Sequence, residues 1–206
     1  MLLDTPPRMF NHARGLWGYT GVAPDGEPLT VQATGMGGPS AAIVCEELIA
    51  LGATRLVRIG TCGALDPKVE LGTLLAAASV LPADGTSTAL GADAPLKPNP
   101  ELLERLVAAG ARPATIASSD LFYDPRDGAA AGWTEQGALA VEMEAAALLA
   151  VGARRGVRVA CVCAVSDAVA GGAGERLQDD ALVAAEERLG RAAAAALGAV
   201  ATGAAA

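Results

Sequence analysis

The chain of 206 residues is 52% hydrophobic and carries a net charge of −8. That balance describes a globular chain, long enough for one α/β domain over residues 1–206, and it excludes nucleic acid as the main partner, because phosphate neutralisation needs a basic face. The start MLLDTPPRMF sets an Asp and two prolines where a secretory leader needs an apolar run, and the tail from Ala192 is too rich in weakly apolar alanine to span a membrane; a cytoplasmic, membrane-free protein is expected.

Residues 1–20 read as irregular, and Pro24–Gly26 is a turn signal. Leu29–Thr34 alternates like a strand, GMGGPS follows as a loop, and Ser40 is placed to cap a helix through about Leu51, with Val44, Leu48 and Leu51 on its inner face. The next strand is Arg55–Leu65, so the order strand, helix, strand predicts a parallel βαβ unit. Leu71–Leu81 reads as a strand and residues 82–98 as a loop. Asn99-Pro100 starts a helix that Gly110 ends. Pro113–Ser118 is a strand, SSDLFYDPRD leads into a helical stretch through Gln136, and Ala138–Val141 is a short strand. Glu142 is read as the first residue of a helix that stops at Gly156. Val157–Val165 is the most continuously apolar strand, as expected at the centre of a covered sheet. After it comes the loop AVAGGAG, then a helix from about Glu175 into an alanine-rich tail expected to fray over about 190–206.

Several chemistries are disfavoured by what is present. GMGGPS is GxGxxS rather than GxGxxG, and the following strand ends in Gly60-Thr61 instead of an acid for a ribose, which argues against a dinucleotide site while leaving an anion or sugar open. His12 is the single histidine, and no GxSxG occurs, so a Ser-His-Asp triad is not expected. Cys45, Cys62, Cys161 and Cys163 form no CxxC pair, and no metal or other cofactor is expected; Cys161 and Cys163 fall on one face of an apolar strand as buried free thiols, suited to a reducing compartment.

What remains is a set of charges at strand ends. Arg58 interrupts the apolar strand RLVRIGTCGAL and needs an anionic partner if it is buried. Gly60 and Gly63 bracket Thr61 at that strand's exit. Glu142 and Glu144 flank Met143 at a strand-to-helix junction, where carboxylates either accept sugar hydroxyls or serve the helix N-terminus; position alone favours the second role for one of the two. Ser166-Asp167 ends the most apolar strand, where an acid is either a proton donor or a cap.

The segments RGLWGYTG, TGMGGPSAAIVCEELI, RLVRIGTCGAL, SSDLFYDP, VEMEAAAL and AVSD occur in the order, over residues 14–167, in which the nucleoside phosphorylase family carries them, and the chain resembles that family's hexameric purine nucleoside phosphorylase branch. The resemblance implies a three-layer αβα sandwich with a central mixed β-sheet, and phosphate-dependent cleavage of purine nucleosides to free base and ribose 1-phosphate, with phosphate as a co-substrate and no cofactor. It implies phosphate contacts from Arg58 and Thr61, and from Arg14 reaching into a neighbouring subunit's site, hence a homo-oligomer, hexamer or dimer. It implies Met143 and Glu144 at the ribose with Glu142 beside them, and Met36, Phe122, Val141 and Ser166 around the base. Asp167 would protonate the purine, assisted by Arg176 across a loop shorter than the family's.

The family's opening strand and its glycine-containing GDP loop have no counterpart here, nor has its amino-terminal histidine, so the chain is expected to be shortened or to start upstream. Three readings stay open: a phosphorylase, a hydrolytic nucleosidase of the methylthioadenosine type, which would need no phosphate loop, and a non-catalytic assembly subunit. A uridine phosphorylase reading lacks its Gln and Arg pair in DPRDGAAAGW.

Overall fold

A computed structural model of the chain describes residues 2–3, 6–169 and 175–198. Two sheets are present among them. Strands β1 (Arg8–Asn11), β2 (Gly18–Val22) and β3 (Pro28–Gln32) form a small antiparallel meander, with the expected PDG turn between β2 and β3. The amino-terminal segment is therefore strand-bearing rather than irregular. Its strands are short and half exposed, which leaves little alternation to read.

The second sheet contains β4 (Arg55–Ala64), β5 (Leu74–Ala83), β6 (Arg112–Ser119), β7 (Ala138–Glu142) and β8 (Arg158–Ala168), ordered β4-β7-β6-β5-β8 and closed on itself. It is mixed: β4 runs parallel to β8, and β5 and β6 are parallel, while β4 meets β7 and β5 meets β8 antiparallel. The βαβ prediction is overturned, because β3 and β4 lie in different sheets. A helix between two strands fixes handedness only where both join one sheet, and nothing in the two strands' patterns says which sheet each joins.

Helices cover both faces. Helix α1 (Gly38–Ala50) and helix α5 (Ala145–Arg155) share one core with Val159, Cys161, Cys163 and Val165 of β8. Helix α3 (Pro100–Ala108) and helix α6 (Asp179–Leu197) share the other with Ala160, Val162 and Ala164. Alternate residues of β8 feed opposite cores, the period of two that a doubly covered strand requires. This is the expected layering of helices around a central mixed sheet. Short helices α2 (Gly85–Ala89) and α4 (Ala129–Glu135) complete the set.

Local chemistry explains most ends. Asn99 caps α3 by accepting from Leu102 N at 3.1 Å, and Gly156 ends α5 in the left-handed region, both as read from sequence. Helix α2 falls in the stretch expected to be a loop; Asp84 nucleates it by accepting from Ser87 N at 2.7 Å. Ser40 is not a cap. It lies inside α1 and its hydroxyl donates to Thr34 O, while Gly37 occupies the cap position. The inner face of α1 is Ala41, Val44 and Cys45, and Leu51 is 76% exposed. Helix α6 begins later than expected and continues to Leu197 with Ala192, Ala193, Ala194 and Ala196 buried, so the tail is helical over residues 190–197; residues 199–206, and most of the AVAGGAG loop, lie outside the described residues.

Candidate active site

The chemistry-bearing cluster lies between β4, β7, β8 and the start of α5. Arg58 points to the face of β4 that packs under α5, and its side chain is 9% exposed. Its guanidinium folds back along the strand over Gly60: a Cβ at that glycine would sit 2.4 Å from Nη1. Gly60 is thus a glycine because Arg58 needs the space, not because a turn needs a positive φ. Nη2 pairs with Glu142 Oε2 at 3.1 Å and with Glu144 Oε2, and Nη1 donates to Cys163 Sγ at 3.2 Å. The anionic partner that the sequence demanded for Arg58 is therefore two carboxylates. Burial alone would weaken its charge, but Glu142, the two thiols of β8 and Glu144 hold its pKa well above the ordinary guanidinium value.

The two glutamates are not equivalent. Glu142 is the last residue of β7, not the first of a helix, and its side chain has no exposed surface. It accepts from Glu144 N at 2.9 Å, from Ala145 N at 2.9 and 3.1 Å, and from Ser118 Oγ on the adjacent strand β6. These backbone donors are the orphan N–H groups that open α5, so Glu142 satisfies that helix end from the strand before it. Burial drives its carboxyl up to about 7, against the lowering effect of Arg58 and the hydrogen bonds. Glu144 stands at the cap position of α5, is 8% exposed, and its second oxygen accepts from Gly37 N, tying the loop before α1 to the cluster. The Gly37 and Ser118 contacts were not singled out from sequence. Neither residue carries a local signal, since each acts through a partner about a hundred or about thirty residues away in the chain.

Cys161 and Cys163 are buried and free as expected, with sulfurs 3.6 Å apart. Hydrogen bonding with Cys161, reinforced by Arg58, pulls the Cys163 thiol below its ordinary range. Glu142, Cys161 and Cys163 place three potential metal-ligand atoms within 4.8 Å of one another. The Arg58 guanidinium already lies against all three residues, so a metal cation there would have to displace it.

Asp167 lies near the end of β8, half-buried, and accepts from Ser166 Oγ at 2.7 Å. It pairs with Gly63 of β4 across a bulge, and a Cβ at Gly63 would sit 3.1 Å from Asp167 Oδ2. Arg176 forms an antiparallel bridge with Asp167 through the backbone, flanked by Leu177 N donating to Ser166 O at 2.8 Å. The described residues on either side of 170–174 thus bring these two residues side by side, while the Arg176 side chain is exposed.

Other expected residues are dispersed. Thr61 is exposed near the exit of β4 and lies an odd number of residues from Arg58, so the two side chains leave the strand in opposite directions. Met36 is 87% and Phe122 60% exposed, with Phe122 packed edge-on against Tyr123; Val141 and Met143 are half-buried. Arg14 is the one non-glycine residue with a positive φ among those described, at 57°. It lines a cleft of about 610 Å³ between the meander and α1, with Phe10, Gln32, Ser40 and Glu47, and none of the residues touching Arg58 lines that cleft.

The sequence pattern of the phosphorylase superfamily matches residues 6–202. A guanosine phosphorylase from Halorubrum lacusprofundi is 37% identical over 148 residues, covering 68% of this chain and 61% of that protein. A DeoD-type purine nucleoside phosphorylase from Clostridium novyi is 34% identical over 172 residues, 79% of this chain and 73% of that protein. Another from Clostridium beijerinckii is 37% identical over 167 residues, 77% and 70% of the two chains.

Proposed function

The chain belongs to the phosphorylase superfamily, and from that premise we propose that it is a pentosyltransferase that cleaves the N-glycosidic bond of purine nucleosides with inorganic phosphate, releasing free base and ribose 1-phosphate. The observation that carries this reading is the nearly buried Arg58 held beside Glu144 under the N-terminus of α5. A fixed cation for an oxyanion and a carboxylate for hydroxyls meet at one point, as an attack of phosphate on a sugar requires.

In this reading Arg58 exchanges Glu144 for phosphate, and Glu144 turns to the ribose hydroxyls next to Met143. The oxocarbenium-like sugar is stabilised by the attacking anion. Asp167 protonates the purine as its bond breaks, with Ser166 orienting that carboxyl and Arg176 beside it; general acid help of this kind is worth about 10² to 10⁴ in rate. Val141, Met36 and Phe122 line the base. Thr61, exposed near the exit of β4, is a further phosphate contact in this reading. Arg14 acts in a neighbouring subunit of a homo-oligomer, a reading supported by its place on a cleft that none of the residues touching Arg58 lines, beside the exposed Phe10. No cofactor takes part, and the four buried free thiols support a reducing, cytoplasmic setting.

A hydrolytic nucleosidase is the second reading, favoured by one observation: Arg58 is already satisfied by two carboxylates. The test is base release from inosine, adenosine, uridine and methylthioadenosine with and without phosphate. Phosphate-dependent release from a purine nucleoside is expected; release that ignores phosphate transfers the assignment to the hydrolase.

A further inference from the structure

We infer that Glu142 is a positioning residue that touches neither substrate and holds Arg58 and Glu144 as one unit. The inference rests on the phosphorylase reading above and changes the part Glu142 takes in it, from a group at the sugar to the group behind both anchors.

Three observations carry it. First, access: the Glu142 side chain has no exposed surface, whereas Arg58 and Glu144 keep 9% and 8%. Second, connectivity: one carboxylate accepts from the Arg58 side chain, from the backbone of Glu144 itself and from the residue after it, and from Ser118 across the sheet. When Glu144 leaves Arg58 for a sugar, Glu142 is the partner that keeps the guanidinium in place, and the same carboxylate fixes the helix end from which Glu144 projects. Third, chemistry: every group directed at its two oxygens is a donor. An amide of the same shape would turn an N–H toward other N–H groups, and a protonated carboxyl would require the Ser118 hydroxyl, which already accepts from Ala146 N at 2.9 Å, to stop donating to Glu142. The working form is therefore the carboxylate.

The titratable groups facing it are Arg58 and Cys62 from β4, Cys161 and Cys163 from β8 and Glu144 from α5, and burial raises its carboxyl to about 7. Activity should therefore rise with pH through about 7. Removing the Ser118 hydrogen bond, which lowers that value, should move the limb to higher pH.

The experiment uses the full chain and compares wild type, Glu142→Gln and Ser118→Ala by steady-state kinetics in phosphate and inosine over a pH range that brackets the raised value of about 7, by calorimetric titration with inorganic phosphate, and by circular dichroism. Expected are a fold unchanged in both variants, a KM for phosphate and for inosine each raised roughly 10- to 100-fold in Glu142→Gln, weaker phosphate binding by a similar factor, loss of the limb near 7 in that variant and an alkaline displacement of it in Ser118→Ala. Phosphate's own ionisation is common to all three and cancels in the comparison. Wild-type kinetic constants in Glu142→Gln, or an unmoved limb in Ser118→Ala, overturn the inference while leaving the phosphorylase reading intact. If Glu142→Gln does not fold, Ser118→Ala and its pH limb decide alone. A wild-type chain that neither binds phosphate nor releases base with it overturns both.

Discussion

The cluster around Arg58 and the rim around Asp167 are built in different ways. In the cluster each charge has several partners inside the chain: Arg58 touches two carboxylates and two thiols, and Glu142 serves two strands and a helix end. At the rim Asp167 has a hydroxyl from its own neighbour, Arg176 is bound through its backbone, and Phe122 and Met36 face solvent. The cluster is therefore part of what holds the fold, and a change there carries a stability cost along with any catalytic one. The rim makes few demands on the fold, and changes there separate chemistry from stability.

The sharpest way to break this comparison is Arg58→Met. Truncating one partner of a buried ion pair leaves an uncompensated charge and costs about 3–5 kcal/mol, and here two carboxylates are stranded. A large fall in the denaturation midpoint is expected together with loss of phosphate saturation. A midpoint within the range of a surface change would mean that Glu142 and Glu144 are neutral or solvated in the folded chain, and the cluster would not be the structural element described. Asp167→Asn tests the other side. It should cost roughly 10² to 10⁴ in kcat with an unmoved midpoint, since the amide keeps its hydrogen bond to Ser166. Unchanged kcat removes Asp167 from the chemistry.

How much was readable in advance follows the same division. The need of Arg58 for an anion was evident from a guanidinium in an apolar strand, and the two cores on either side of β8 followed from an unbroken apolar run. Of Glu142 and Glu144 one serves the helix end, as their position at a strand-to-helix junction suggests, and it is Glu142. What the sequence did not carry is pairing. Nothing local says that β3 joins the meander and β4 the closed sheet, or that Gly37 and Ser118 reach the glutamates from distant segments. The boundary of α5 was misplaced because a carboxylate capping from the strand before a helix looks, in sequence, like a first-turn acid.

Gly60→Ala probes the cluster without touching a charge. The added methyl would overlap Arg58 Nη1, so the guanidinium must leave Glu142, Glu144 or Cys163, or the strand must shift. Overpacking of this kind costs about 1–3 kcal/mol, and the phosphate KM should rise with it while the inosine KM changes less. A neutral result would show that the arginine reaches its partners by another path than the one over Gly60.

The smallest effect is expected at Phe122→Ala. The ring is 60% exposed and meets Tyr123 edge-on at 5.0 Å. An exposed pair of this kind buries little area, so the denaturation midpoint should stay within about 0.5 kcal/mol of wild type, while the KM for inosine rises several-fold if the ring covers the base. The two readouts are independent here, as they cannot be at Arg58. A drop in stability equal to that of a core phenylalanine, about 3–5 kcal/mol, would show that the segment from Leu121 to Tyr123 is packed in solution. The rim would then be as pre-built as the cluster, and the contrast between the two regions would fail.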